Sequence, residues 1–385
     1  MEQWLKQLDA LVLFRGILDD PVIARLRAFF AKPDVSAYAA FAAELFAQKE
    51  NLSEYLLERV LEDENFYMRG CAQGKSFGLE VEACLEQELA LLSRLAVLDA
   101  EACRAAVQYD GYLPAWTVTA YDFLAIYRQR IAEIGKHGYG MFAKHHMFFV
   151  QDGRLMPVKH PDDTRLEQFG GYELERQEIL QNTRALLCGK PAANVLLYGD
   201  AGTGKSATVK ALANAFYPDG LRLIELKKSQ LHQIPELVDW LSENPLKFIL
   251  FIDDLSFAAN DDNFAALKAI LEGSVSAKAS NVVVYATSNR RHLVKETFSE
   301  REGDDIHRAD TMEELFSLSD RFGLKITFCR PDKVQYLQIV HHLAHISGVD
   351  LPAEQLDREA EIFALGRGGR SARAAKQFID KLLSC

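Results

Sequence analysis

The sequence predicts an α/β protein: a parallel sheet with helices on both faces, a C-terminal helical lid and a mainly helical N-terminal domain. Three observations carry that expectation. Short apolar runs alternate with helical patterns between residues 165 and 330, the rhythm of strand–helix–strand units. The run Phe248-Ile-Leu-Phe-Ile252 contains no polar residue, as suits a parallel strand covered on both faces. Before this region, and again after Asp332, apolar residues recur at helical spacing.

A chain of 385 residues is expected to form two or three domains. The expected boundaries are 1–136 for the helical domain, 137–164 for a hairpin and connector, 165–330 for the sheet domain and 331–385 for the lid. In the first, Leu5, Leu8, Leu11 and Val12 keep helical spacing, as do Leu56, Leu57, Val60 and Leu61. Ser53, in Asn51-Leu-Ser-Glu54, is placed to cap a helix start. Residues 86–98 and 120–134 are further helices. Trp4, Phe29, Phe30 and Tyr67 read as the core of a small bundle rather than as a partner surface.

Asp152-Gly153 between two apolar runs predicts a hairpin of strands 146–150 and 154–158. The charged connector Pro161-Asp-Asp-Thr164 marks the expected domain boundary. His145 and His146 are adjacent, so in a strand they point to opposite faces and make a poor metal pair. A helix follows from about residue 170 and stops at Gly189 and Pro191. Strands are expected at 195–198, 221–226, 248–252, 281–286 and 326–328, with helices at 205–216, 235–242 and 264–271. The lid reads as helices 334–346, 360–365 and 371–383. There His341 and His345 stand at i and i+4, a spacing that can chelate a metal, but no acidic third ligand accompanies them. A solvated helix face is the preferred reading.

The densest chemistry lies in Gly199-Asp200-Ala201-Gly202-Thr203-Gly204-Lys205-Ser206, which fits G-x-x-x-x-G-K-[ST] between a strand and a helix. Glycines let successive backbone N–H groups converge on one anion, and the following helix adds the positive end of its dipole. Lys205 is placed to reach the β- and γ-phosphates of ATP, and Ser206 to hold Mg²⁺. Asp253 and Asp254 follow the buried run 248–252, at the strand end where open α/β sheets bind ligands. Asp253 suits Mg²⁺ or its bound water, and Asp254 suits polarisation of an attacking water. Asn289 ends the 281–286 strand region with a side chain able to bond the γ-phosphate or that water. Its alternative is a turn-forming Asn. Arg321, in Ser319-Asp-Arg-Phe-Gly323, and Arg373, beside Arg370 at the start of the last helix, carry forks suited to phosphate.

In this order, a phosphate loop, an Asp pair, Ala286-Thr-Ser-Asn289, Ser319-Asp-Arg-Phe322 and Gly369-Arg-Ser-Ala-Arg373 resemble the AAA+ ATPases over residues 165–385. The pattern is most similar to an uncharacterised bacterial family of predicted AAA+ ATPases that shares the Lys-His-x-x-Phe region near Val150. The resemblance implies that Lys205 and Ser206 belong to Walker A, Asp253 to Walker B and Asn289 to sensor 1. It implies that Arg321 is an arginine finger offered to a neighbouring subunit, and that Arg373 is sensor 2. Two positions depart from the family. Asp254 stands where most members have Glu, one methylene longer. The stretch Lys227-Lys-Ser-Gln-Leu-His-Gln-Ile234 lacks the pore-loop aromatic of protein-threading members.

The function expected is a Mg²⁺-dependent ATPase that assembles with itself and acts on a protein partner selected by the N-terminal domain. An ATP-gated binding module with little turnover is the alternative, favoured by Asp254 and the missing aromatic. A DNA loader is a third reading, motivated by Arg290-Arg291-His292. The net charge of −11 disfavours a protein that coats nucleic acid, because that affinity comes mainly from Lys and Arg. Six dispersed cysteines without a C-x-x-C pair fit reduced thiols in the cytoplasm. The N-terminus lacks the apolar core of a signal peptide, and no run approaches the roughly 18 apolar residues of a membrane span. A cytoplasmic protein with no membrane partner is expected.

Overall fold

The computed structural model describes residues 1–255, 267–268, 271, 279–289 and 320–384. Two compact units divide the chain, residues 1–144 and 145–385.

The first unit is helical. It contains α1 (Glu2–Asp9), α2 (Pro21–Ala31), α3 (Val35–Phe46), α4 (Leu52–Glu62) and α5 (Phe66–Ala72). After these come α6 (Leu79–Ala96), α7 (Ala100–Val107), α8 (Phe123–Ala132), α9 (Ile134–His137) and α10 (Met141–Lys144). Short polar side chains set most of the starts: Asp20, Asp34, Asn65, Asp99 and Asp122 each accept backbone N–H groups of the helix they precede. Ser53 does not cap α4. Asn51 does, accepting from Ser53 N and Glu54 N, while the buried Ser53 hydroxyl donates to Ala96 O at 2.7 Å. Trp4 stacks on Phe30, and Phe29, Tyr38, Phe41 and Trp116 form a buried aromatic chain, so these aromatics are core. Buried Glu88 accepts the N–H groups of Val12, Leu13 and Phe14, which satisfies a carboxylate inside an apolar bundle.

The second unit is built on a seven-stranded sheet in the order β2-β1-β4-β5-β6-β3-β7. Its strands are β1 (Met147–Gln151), β2 (Arg154–Pro157), β3 (Val195–Gly199), β4 (Leu221–Leu226), β5 (Lys247–Ile252), β6 (Val282–Ser288) and β7 (Leu324–Phe328). Among the described strands only β1 and β2 pair antiparallel, around the Asp152-Gly153 turn. Strand β1 also pairs parallel with β4, Phe148 opposite Ile224. The hairpin therefore extends the sheet instead of lying in a connector, and the unit boundary falls ahead of it. Leu250 and Val284 are opposite each other across β5 and β6, and the consecutive apolar residues 248–252 of β5 are all buried, so this central strand is covered on both faces.

Helices α11 (Glu173–Leu187), α12 (Lys205–Phe216) and α13 (Ile234–Ser242) belong to the sheet layer. Asn182 of α11 bonds both backbone groups of Ala193 that it faces and, with Thr183, the buried Tyr285 hydroxyl of β6. The stretch after β4 is a 3-10 turn over Lys228–Gln233 with Leu231 buried, and Gln230 donates to Val150 O of β1. The lid comprises α14 (Lys333–Ile346), α15 (Ala353–Gly366) and α16 (Ala372–Leu383), packed through Tyr336, Val340, Ala360 and Phe378. The helix expected at 264–271 lies largely outside the described residues, as do Arg290, Arg291 and His292.

Candidate functional site

The sheet order decides where the site forms. Strand β3 sits between β6 and β7, yet the chain leaves it for β4, beyond β6 and β5, and then returns. At such a switch in connection, the carboxyl ends of the strands open a crevice. The segment after β3, Asp253 after β5 and Asn289 after β6 meet there.

The phosphate loop is folded by its glycines. Gly199 takes φ +135°, and a Cβ there would collide with the Phe328 carbonyl of β7, so the loop leaves the sheet edge on a path that only glycine permits. Gly204, at φ +94°, precedes the first turn of α12. Thr203 is buried, its hydroxyl donating to Asp200 O at 2.9 Å.

Lys205 is 5% exposed. Its ammonium donates to Gly199 O at 3.0 Å, Asp200 O at 2.7 Å and Asn289 Oδ1 at 3.1 Å. Burial holds its pKa below the ordinary lysine value, with the charges of Asp200, Asp253 and Asp254 opposing that shift. Asn289 uses its other end to donate to Asp254 Oδ1 at 2.8 Å. The amide thus bridges the loop's ammonium and the second carboxylate. Asp254 has φ +51°, a left-handed conformation that Asp tolerates better than most residues. Its N–H donates to Thr287 Oγ1 at 2.9 Å and to Asp253 Oδ1 at 3.1 Å.

Ser206 Oγ donates to Asp253 Oδ1 at 2.5 Å, and Thr287 Oγ1 donates to the same oxygen at 2.6 Å. A hydroxyl and a carboxylate in contact at the start of α12 are hard oxygen donors, a set that fits Mg²⁺ shared with a phosphate. Thr287 was assigned no role from the sequence. Its place in Ala286-Thr-Ser-Asn289 was the signal, because alternate residues at a strand end face the same side.

A cavity of about 640 Å³ joins these groups to the lid. Ala201, Gly202, Gly204, Lys205 and Ser206 line one end, with Asp253, Asp254, Thr287 and Asn289 beside them. From the lid, Ile339, Leu343 and Ile346 of α14 and Arg373 and Lys376 of α16 face it. Both sets follow helical spacing, so each helix presents one face. Phe169 and Gly170 complete the wall. Arg176 braces them, donating to Gly171 O while stacking over the Phe169 ring at 5.5 Å. Arg373 is tied to the loop through its own backbone, N–H to Gly202 O at 2.9 Å.

Arg321 stands apart. It lies half-buried in the turn entering β7 and does not line the cavity. The lid histidines are engaged separately: His341 contacts Asp357 at 2.7 Å and His342 contacts Glu167 O at 2.9 Å. Among the described residues no group of three or more His, Cys, Asp and Glu is placed to hold a metal by itself, and no helix is long and apolar enough to cross a membrane.

The chain is 24% identical over 264 residues to Proteasome-activating nucleotidase 1 of Haloferax volcanii, covering 59% of this chain and 62% of that protein. It thus spans less than two thirds of that relative. The solved Thermotoga maritima RuvB Holliday junction branch migration motor is 16% identical, with 57% of this chain and 64% of that one covered. Its TM-score is 0.39. Residues 142–385, from the end of the helical unit through the sheet and the lid, match the family described as "Protein of unknown function (DUF815)". The chain belongs to that family, and the order of its phosphate loop, Asp pair and lid resembles that of the AAA+ ATPases.

Proposed function

We propose that this protein is a Mg²⁺-dependent ATPase that assembles with itself and couples ATP binding and hydrolysis to a protein partner engaged through residues 1–144. The observation that carries this reading is the convergence of Lys205, Ser206, Asp253, Asp254 and Asn289 on one cavity that Arg373 also lines. Backbone N–H groups of Ala201–Ser206 and the Lys205 ammonium would take the β- and γ-phosphates. Ser206 and Asp253 would hold Mg²⁺, which when bound supplies charge neutralisation on the phosphates.

Asp254 would accept a proton from, or polarise, the attacking water. Asn289 fixes that carboxylate relative to Lys205, so the water and the γ-phosphate would be oriented by one amide. Arg321 does not line the cavity of its own chain, which supports its acting on a neighbour's ATP. The name of the Haloferax relative, a nucleotidase, also favours hydrolysis.

An ATP-gated binding module with little turnover is the second reading. The hydrogen bond that engages Asp254 with Asn289 favours it, because a carboxylate so held is less free to take a proton. Turnover per subunit, measured across protein concentration, separates the two. For the ATPase it rises steeply with concentration, and Arg321→Ala lowers it by on the order of 10³-fold or more. Full activity in dilute monomers would overturn shared-site catalysis, and flat, near-zero turnover with ATP bound would establish the gated module.

A further inference from the structure

Residues 329–332 are the covalent link between sheet and lid, and the phosphate loop holds that link from both sides. Asp200 N donates to Phe328 O at 3.1 Å, and Asp200 Oδ2 accepts Arg330 N at 2.8 Å. Tyr172 donates its hydroxyl to Cys329 O at 2.7 Å, which anchors the residue between them.

The Arg330 side chain then reaches away from the sheet into the lid. Its Nε donates to Arg370 O at 3.1 Å and its Nη2 donates to Gly368 O, so one fork grips the turn between α15 and α16. Gly369, inside this turn, has φ +121°, and a Cβ there would overlap the Arg330 guanidinium. The turn is thus shaped to admit that side chain. Arg370 bonds Glu361 of α15 through Nε at 2.8 Å and Nη2 at 2.6 Å, fixing the other side of the turn. Immediately afterwards Ser371 caps α16, and Arg373 N donates to Gly202 O.

These contacts close a circuit: Asp200, Arg330, the 368–370 turn, Arg373, Gly202. We propose that Arg330 is a positioning residue that touches no nucleotide but holds Arg373 over the phosphate loop, making loop conformation and lid orientation one coupled unit. The proposal rests on the nucleotide-binding reading of the cavity. A guanidinium fork fixes direction as well as distance, so a turn gripped by two of its donors cannot rotate independently of Arg330. Because α16 starts at the next residues, a displacement of the turn is passed directly to Arg373. In catalytic sites a misplacement of about 1 Å can cost on the order of 10²-fold in rate, so a shift of Arg373 would not be neutral. Arg330 is itself exposed, and hydrogen bonds made in water contribute little to folding, so its removal should leave the fold standing.

The test is a double-mutant cycle read by the anisotropy of a fluorescent ATP analogue with Mg²⁺. It compares the wild type, Arg330→Ala, Arg373→Ala and the double variant, with Lys205→Ala as control. We expect Arg330→Ala to weaken binding on the order of tenfold, with an unchanged melting temperature of the nucleotide-free protein. The double variant should bind no more weakly than Arg373→Ala alone, since coupled residues are non-additive. Arg330→Lys, which keeps the charge but loses the fork, should recover only part of the affinity. Wild-type affinity in Arg330→Ala, or losses that multiply in the double variant, would overturn the proposal. Binding that is indifferent to Lys205→Ala would overturn the nucleotide reading itself, an outcome distinct from failure of the Arg330 circuit alone.

Discussion

Thr287→Val removes one oxygen from the centre of the site while keeping the side chain's shape. Thr287 is 2% exposed, and its hydroxyl both donates to Asp253 Oδ1 at 2.6 Å and accepts Asp254 N at 2.9 Å. A hydrogen bond to a charged group is worth about 1.5–3 kcal/mol and a neutral one about 1 kcal/mol. Those figures need discounting here. Asp253 is exposed and keeps the Ser206 hydroxyl, and Asp254 N keeps Asp253 Oδ1, so water and these partners recover part of the loss. A net destabilisation of about 1–2 kcal/mol remains, or roughly 2–8 °C in melting temperature for a domain of this size. The functional loss should be larger, because Asp253 loses the contact that aims it at Ser206 and Asp254 loses one support of its left-handed backbone. Scanning calorimetry and Mg²⁺-dependent nucleotide binding, measured on Thr287→Val and Thr287→Ser, separate the two effects. Serine keeps the hydroxyl and should bind nearly as the wild type does. If valine leaves both melting and binding unchanged, or if serine is as damaging as valine, the hydroxyl is not what organises the two carboxylates.

Two predictions concern pH. Burial lowers the pKa of Lys205, and phosphate binding needs its charged form, so nucleotide affinity should fall as pH rises at values below the ordinary lysine range near 10.5. A titration of affinity against pH that shows no loss until above that range would contradict the role of the buried ammonium. His146 is also depressed, chiefly by burial, and contacts Asn214 of α12 at 2.8 Å. The unfolded chain therefore takes up a proton first as pH falls through about 6.5, and stability should decline from there until the folded protein is protonated too. His146→Gln should flatten that decline in melting temperature between about pH 7 and pH 5. An unchanged slope would place the titrating group elsewhere.

The extent to which the site was legible follows the range of the interactions involved. The phosphate loop, the helix Lys205–Phe216 and the apolar strand before Asp253 rest on local chemistry: glycine permissiveness, strand period and buried runs. They stand where the sequence put them. Hairpin strands 146–150 and 154–158 were equally local and needed shifts of only one residue at their ends. That β1 would pair with β4 was not legible, because strand order depends on contacts across the sheet that no short pattern encodes. Ser53 and Asn51 are both good caps two positions apart. The choice fell to distant partners, Ala96 O and Thr119 N, which engaged the serine. Nothing local marks Arg330, since the groups that engage it lie up to 130 residues away in Asp200.

Sequence alone determined that this protein carries a phosphate loop on a parallel sheet with a helical lid, because those features are written in residue type and short-range period. Tertiary structure alone decided which oxygen each polar group bonds, that Asn289 bridges Lys205 to Asp254, and that Arg321 stays out of the cavity. The physical reason is that hydrogen bonds are short and directional: a polar side chain acquires its role only when the fold brings one particular partner within about 3 Å.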